Sequence, residues 1–209
     1  MEPRDKIYME FLTKDLQSPN NKIVITEDRF CFQEQNTLIL DQLSFTNDDF
    51  TIKDLNGVEY FKCLGKTFSI KDKKVIYDLY DQPILNIRQN LLSSKDEINI
   101  YKDKTETEAL LNVKPQSNFF KQILKQKYIV NFHNKATGKD EFLEIRGDFY
   151  GYKFKVYYGK KKEGAPLICN ISLKPDTDIV IDSIDSYYVF VAAGVDAAAM
   201  IALAICTFM

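Results

Sequence analysis

The chain has 209 residues, with 28 basic and 30 acidic side chains and a formal net charge of −2. This near balance excludes a general electrostatic attraction to nucleic acid or to an anionic membrane, so any such contact depends on a local patch. Hydrophobic residues make up 45% of the chain and aromatic residues 13%. That is enough apolar surface for the core of one all-β domain of this size.

The cysteines favour a reduced, cytoplasmic protein. They stand far apart and form no C-x-x-C pair, so neither a zinc site nor a compact disulfide framework is indicated. Residues 1–6 lead into no apolar segment of the kind that starts a secretory signal. We therefore expect a cytoplasmic location, with or without peripheral membrane attachment. The cysteines are Cys31, Cys63, Cys169 and Cys206.

No sequence motif indicates catalysis. His133 is the only histidine. A metal site built from several histidines therefore cannot be assembled, and a catalytic triad would have only His133 available as its base. Phosphate-binding loops and zinc-protease motifs are absent from the sequence. We expect no catalytic residue, no metal, no cofactor and no enzymatic activity.

Apolar and polar residues alternate with period two through most of the chain, which predicts short antiparallel strands. The clearest pair is Phe50–Asp54 and residues 58–62, joined by Leu55, Asn56 and Gly57. An Asn-Gly pair readily adopts the positive φ angles of a type I′ turn. Asn56 and Gly57 are therefore predicted to shape this hairpin.

Further strand patterns follow in chain order, and a short helix is predicted at residues 117–125 behind a Ser117 cap. The strand patterns cover residues 67–70, 74–79, 83–89, 97–102, 109–113, 127–133, 141–146, 150–158, 166–173, 178–181 and 187–191. Many short strands at this spacing favour a closed barrel or a sandwich over a parallel α/β fold.

Residues 187–209 form an apolar run in which Asp196 is the only ionised side chain. Two interpretations compete: a tail-anchored transmembrane helix, and a strand followed by a buried helix. Strand formers fill residues 187–191 and alanine-rich helix formers fill 197–204, with the change at Ala193 and Gly194. Asp196 is placed to cap the helix, which is shorter than the ~20 residues of a bilayer span. A helix that is apolar on every face needs apolar partners all round, and a barrel interior supplies them.

Three segments resemble the LURP-one-related family, within the Tubby-like superfamily that also contains the phospholipid scramblases. Residues 50–61 are similar to its F-x-V-x-D-x-x-G-x-x-x-F hairpin, and residues 76–85 to its L-x-D-x-x-G-x-P-L-L turn with Gln82 in place of the glycine. Residues 187–197 are similar to its ending Y-x-V-x-V-x-P-G-V-D-x-A, with Ala193 where proline is common.

The resemblance implies a Tubby-like closed antiparallel β-barrel of about twelve strands around a buried apolar C-terminal α-helix. It runs from about residue 22 to the end, so we expect an N-terminal extension, residues 1–21, and one barrel domain, residues 22–209. Asn56, Gly57, Gly194 and Asp196 are expected to have structural roles.

The resemblance leaves the function open, because fold does not determine activity. Members of the superfamily include phosphoinositide-binding membrane tethers, calcium-responsive lipid scramblases and defence-associated plant proteins. Our leading interpretation is a non-enzymatic cytosolic binding or scaffold module that recognises anionic phospholipid (phosphoinositide) headgroups or an unidentified protein. The alternative is a calcium-responsive phospholipid scramblase-like protein, although the chain lacks the proline-rich arm and the cysteine cluster of that class.

A lysine-rich turn is the candidate ligand site. Lys160, Lys161 and Lys162 stand in the turn of residues 159–164, and Lys153 and Lys155 precede them on a predicted strand. Together these lysines are placed to attract inositol phosphates or anionic lipid, at roughly 1 kcal/mol per charge near a membrane surface. A solvated hairpin tip is the alternative interpretation, since lysine-rich turns commonly protect sheet edges and increase solubility.

Four aspartates precede the last strand, close to where a scramblase-like protein is expected to carry a calcium-responsive segment: Asp176, Asp178, Asp182 and Asp185. Their spacing does not fit an EF-hand, because Ile181 takes the position of the required glycine and Tyr187 that of the bidentate glutamate. Aspartates at turns and strand ends are the simpler interpretation.

Overall fold

The computed structural model describes residues 9–43, 49–65, 73–89, 97–102, 107–116, 126–148, 153–174 and 186–207. Within these ranges twelve antiparallel strands form a closed barrel, in which β1 pairs with both β12 and β2. The predicted all-β barrel of about twelve strands is thereby confirmed. The strands are β1 (Asn36–Gln42), β2 (Phe50–Asp54), β3 (Glu59–Gly65), β4 (Lys73–Asp78), β5 (Pro83–Gln89), β6 (Ile98–Tyr101), β7 (Leu111–Pro115), β8 (Gln126–Asn134), β9 (Lys139–Asp148), β10 (Lys153–Tyr158), β11 (Leu167–Leu173) and β12 (Ser186–Val191), and the C-terminal helix is α1 (Ala197–Thr207).

Most strands lie within a few residues of their predicted positions, but β1 has no counterpart among them. Its inward side chains Leu38 and Leu40 are fully buried, while Ile39 between them is only partly covered. Some predicted features lie outside the described residues, namely the strands at 67–70 and 178–181, the helix at 117–125, and Asp176, Asp178, Asp182 and Asp185.

Helix α1 fills the barrel. Its residues from Ala197 to Cys206 are buried and belong to the same core cluster as the inward-facing strand residues. Alanine at five of its positions keeps the helix narrow, and a barrel wider than eight strands needs such a filling. The predicted buried helix is confirmed. No helix among the described residues is long and apolar enough to cross a membrane.

Asp196 ties the start of α1 to the N-terminal part of the chain. Its Oδ1 accepts a hydrogen bond from Ala199 N (3.1 Å), which caps the helix. Its Oδ2 accepts three more, from Ile25 N (3.0 Å), Thr26 N (2.6 Å) and Thr26 Oγ1 (2.7 Å). Burial raises the pKa of the Asp196 carboxyl above its usual value, while these hydrogen bonds act in the opposite direction.

Gly194 adjoins the same contact. Its φ of +76° lies in the left-handed region that side-chain-bearing residues disfavour. Gly194 N donates to Phe32 O (2.8 Å), and its carbonyl accepts from Ile23 N (2.9 Å). Residues 22–32 therefore cross the end of the barrel at which α1 begins.

The β2–β3 hairpin forms as predicted, but its turn is not type I′. Gly57 has a φ of +84°, whereas Asn56 is not among the residues with positive φ. Asp54 Oδ1 accepts hydrogen bonds from Asn56 N (2.8 Å) and Val58 N (2.9 Å), and Gly57 N donates to Asp54 O (3.1 Å). A type I′ turn needs positive φ at both central residues. The Asp54 carboxylate instead favours a type I turn that ends in the left-handed glycine.

The β4–β5 turn repeats this geometry. Asp78 Oδ1 accepts from Tyr80 N and Gln82 N, both at 3.0 Å, and Asp81 N donates to Asp78 O (3.1 Å). Asp81 has a φ of +59°, so Asp81 occupies the glycine position of the turn pattern. The prediction that Gln82 replaces this glycine is wrong by one residue. Aspartate is one of the few side chains that tolerate the left-handed region.

Part of the N-terminal extension packs on the outside of the barrel. Residues 9–13 are helical, and Met9 and Leu12 lie against Tyr188 and Phe190 of β12. Asn170 Nδ2 on β11 donates to Leu12 O (2.9 Å). The division into an extension, residues 1–21, and a domain, residues 22–209, stays a proposal, since residues 9–21 contribute to the barrel's outer layer.

Candidate functional site

Three neighbouring strands bring cationic side chains into one lateral row on the outer wall. Lys127 of β8 lies opposite Arg146 of β9, and Arg146 lies opposite Lys155 of β10. The residues adjacent to the row, such as Ile145 and Val156, belong to the core. Because successive side chains of a strand point to opposite faces, the three cations face outward. Directly opposite positions are about 5 Å apart, so the row concentrates positive charge.

Glu144 anchors two members of this row. Its side chain is only 1% exposed, and its oxygens contact Arg146 Nε (2.6 Å) and Lys127 Nζ (3.2 Å). Burial by itself raises the pKa of Glu144, but the hydrogen bonds and charges of Arg146 and Lys127 outweigh it and hold the pKa below its usual range. The carboxylate therefore stays ionised and fixes both cations, which remain partly exposed.

The row extends along β10 in both directions. Lys155 has no carboxylate within salt-bridge distance among the described residues, and the exposed Lys153 lies two positions away on the same face. Tyr157 lies opposite Glu144 on the neighbouring strand. The Nζ of Lys161 lies 5.4 Å from the centroid of the Tyr157 ring. Lys161 thus folds back from the turn toward the row. We call this surface the basic strip: Lys127, Arg146, Lys153, Lys155 and Lys161.

The predicted lysine patch is therefore divided. Lys153, Lys155 and Lys161 share the outer face of β10, whereas Lys160 and Lys162 stay at the exposed hairpin tip. Lys160 Nζ is paired with Glu163 Oε1 at 3.1 Å. The sequence pattern does not indicate Lys127 and Arg146, because only the cross-strand register places them beside Lys155.

The described residues offer no arrangement typical of catalysis. His133 is exposed at a strand end and pairs through Nδ1 with Asp140 Oδ1 (2.8 Å). All four cysteines are buried, and burial raises the pKa of Cys31 to about 12, which keeps its thiol protonated. No group of three His, Cys, Asp or Glu side chains converges in the part of the chain that the structure describes.

The protein is thus a closed antiparallel barrel wrapped around its own C-terminal helix. The X-ray structure of an Arabidopsis thaliana protein shares this fold with a TM-score of 0.62 at 20% identity, covering 88% of this chain and 96% of that one. The sequence model of the LURP-one-related family matches residues 36–208. The chain belongs to the LURP-one-related family.

Curated relatives agree with this assignment. Protein LURP-one-related 10 of Arabidopsis thaliana is 30% identical over 163 residues, which cover 77% of this chain and 81% of that protein. Protein LURP-one-related 15 of the same plant is 25% identical over 186 residues, or 87% of this chain and 83% of its own length. LURP-one-related proteins are not known as enzymes.

Proposed function

We propose that the protein is a non-enzymatic cytoplasmic binding module that recognises anionic phospholipid headgroups through the basic strip at a membrane surface. The observation that carries this proposal is the lateral row of Lys127, Arg146 and Lys155. Like charges directly opposite each other on a sheet are destabilising. Glu144 supplies one carboxylate against these three cations, so an anionic ligand relieves the remaining repulsion.

The chemistry of the strip suits a phosphate group. Arg146 offers a planar fork of donors, of which Nε is held by Glu144, and arginine forks match phosphate oxygens in pairs. Lys155 and Lys153 add point charges, each worth roughly 1 kcal/mol near an anionic surface. The Glu144 carboxylate offsets only part of this charge. Because it already holds Lys127 and Arg146 in place, these side chains lose less conformational entropy when they bind a ligand.

Flotation with phosphoinositide-containing liposomes tests the proposal. We expect binding without calcium that weakens as salt is raised, because exposed charges are screened. Lys155→Glu and Lys161→Glu should each reduce flotation, whereas Lys139→Glu, an equal charge change at the exposed start of β9, should not. The double variant Lys160→Glu, Lys162→Glu changes only the hairpin tip. It should reduce flotation less than either strip variant does.

Two outcomes would contradict the proposal. If both strip variants float like the wild type, the basic strip does not bind lipid. If lipid mixing in proteoliposomes requires calcium and the strip variants retain it, the scramblase-like alternative is correct instead.

A further inference from the structure

Two turns of the same type present apolar side chains side by side at one end of the barrel. The β2–β3 and β4–β5 tips share the type I turn described above, and their central strands β3 and β4 are neighbours. Two strand spacings separate the tips, or about 10 Å. Leu79 is 57% exposed and Tyr80 76% exposed, and Leu55 and Val58 are similarly uncovered on the other tip.

An aromatic cleft opens between the β4–β5 tip and residues 29–32. Its volume is about 150 Å³, comparable to apolar cavities that hold one benzene ring. Phe32 and Tyr60 meet edge to face at 5.5 Å, and Phe30 lies 5.4 Å from Phe61. We call this feature the rim cleft, lined by Arg29, Phe30, Phe32, Tyr60, Phe61, Asp78, Leu79 and Tyr80.

The mouth of the rim cleft is rigid. The buried Asp78 carboxylate holds Tyr80 N and Gln82 N through Oδ1, and its Oδ2 accepts from Arg29 Nη2 at 3.0 Å. The Arg29 guanidinium in turn lies 4.4 Å from the centroid of the Phe30 ring. Leu79 and Tyr80 are thus presented on a fixed backbone, so little conformational entropy is lost when a partner covers them.

The charges around the rim cleft select the kind of partner. Asp54 and Glu59 form no salt bridge among the described residues, and Lys53, the cross-strand neighbour of Glu59, pairs with Asp41. Asp54 ends β2, and Glu59 precedes the cleft-lining Tyr60 on β3. Two such carboxylates at these positions repel an anionic bilayer and favour a cationic partner. The remaining cations at the rim are already paired with carboxylates: Arg29 with Glu27 and Asp78, Lys62 with Asp81, and Lys22 with Asp28.

We propose that the rim cleft docks a basic peptide segment of a partner protein, which inserts one aromatic or aliphatic side chain beside Leu79 and Tyr80. Exposed aromatic and aliphatic groups around a ring-sized cleft have the composition of an interface centre. The flanking basic residues of the partner lie against Asp54 and Glu59. This interaction is independent of the basic strip, which lies on strands far from β4 in the barrel order.

The chain contains no tryptophan, so a peptide with a single Trp gives a selective fluorescence signal. The probes are acetyl-Lys-Lys-Trp-Leu-Lys-Lys-amide and the same peptide with Glu in place of each Lys. We expect saturable binding of the basic peptide, with a blue shift of the Trp emission, and much weaker binding of the acidic one. Leu79→Ser with Tyr80→Ser should weaken the basic peptide roughly tenfold or more, and Glu59→Lys about fivefold.

Controls keep this result separate from folding and from general charge effects. Leu43→Ser removes an exposed leucine at the opposite end of β1 and should leave the affinity unchanged, as should Lys139→Glu at the exposed start of β9. All variants should melt like the wild type, because the changed side chains are exposed.

Three outcomes would overturn the proposal. Equal affinity of the Leu79→Ser, Tyr80→Ser double variant and the wild type would show that the rim cleft does not hold the peptide. Loss of concentration-dependent self-association in that variant, seen by sedimentation, would assign the rim cleft to a second copy of this chain. Loss of liposome flotation in that variant would assign the tips to lipid.

Discussion

The Asp196 carboxylate joins the start of α1 to residues 25–26, and Asp196→Ala tests this contact. The substitution removes four accepted hydrogen bonds. Losing the cap on Ala199 costs about 1 kcal/mol, and each buried donor left without an acceptor costs about 1–3 kcal/mol. The carboxylate no longer has to be desolvated, which offsets part of this loss. The sum is a destabilisation of about 3–5 kcal/mol, as for removal of one partner from a buried charged network.

This loss is a large fraction of the 5–15 kcal/mol by which proteins are typically stable. For a chain of this size it corresponds to a drop in melting temperature of roughly 6–20 °C. Urea unfolding followed by far-ultraviolet circular dichroism should show a lower midpoint with an unchanged slope. Hydrogen exchange should show lost protection at the amides of Ile25 and Thr26, which lose their acceptor.

Two further variants separate the parts of this contact. Asp196→Asn keeps an oxygen for Ala199 N but turns an amide NH₂ toward the donors of residues 25–26, so it should retain the helix cap and still lose roughly 2–3 kcal/mol. Asp140→Ala removes a 94% exposed carboxylate and should change stability by less than about 0.5 kcal/mol. An Asp196→Ala protein that unfolds within about 0.5 kcal/mol of the wild type, or keeps the Ile25 amide protected, would refute the reasoning.

Other predictions concern Glu144 on the barrel wall, the contact of Asn134 with residues 22–26, and Gly57 in the β2–β3 turn. Glu144→Gln should flatten the dependence of stability on pH. The pKa of Glu144 is lowered in the folded protein, so this carboxylate contributes stability above the unfolded carboxyl pKa, and that stability is lost as pH falls through the folded pKa. Urea midpoints at a series of acid pH values measure this dependence. Asn134→Ala removes a fully buried amide that accepts from Val24 N and donates to Lys22 O, both at 3.1 Å, and should cost about 2–4 kcal/mol, with faster proteolysis within residues 22–26. Gly57→Ala should cost about 1 kcal/mol in thermal unfolding through its positive φ alone, since a Cβ there meets nothing within 4 Å.

The sequence predicts the barrel and the helix inside it for physical reasons that act locally. Alternation of apolar and polar residues sets the face of each strand without reference to its neighbours. The change from aromatic and β-branched residues before Ala193 to alanines after Gly194 separates β12 from α1 in the same local way. Strand β1 was not predicted. Leu38 and Leu40 face inward between Thr37 and Asp41, but the apolar Ile39 between them interrupts the alternation of apolar and polar residues.

Features that depend on long-range register could not be predicted. Lys127, Arg146 and Lys155 become neighbours only through the pairing of three strands, and a shift of one residue in either pairing would turn side chains to the other face. The rim cleft is a comparable case, because Phe30 and Phe32 lie in a segment without strand periodicity and meet Tyr60 and Phe61 only when that segment crosses the barrel end. The type of the Asn56–Gly57 turn depends on the preceding Asp54 carboxylate, a contact that the Asn-Gly pattern does not contain.

The filled barrel determines where ligands bind. Because α1 occupies the interior, a partner has access only to the outer wall and the ends, and the two proposed surfaces lie there. Strands β9 and β4, at the centres of the basic strip and the rim cleft, stand five positions apart in a ring of twelve, so the two surfaces face nearly opposite directions. Their charges are also opposite: an anionic membrane attracts the basic strip and repels the carboxylates around the rim cleft. A molecule bound to a membrane through the basic strip would therefore turn the rim cleft away from the bilayer, where a basic peptide can reach Leu79 and Tyr80 while the lipid contact is kept.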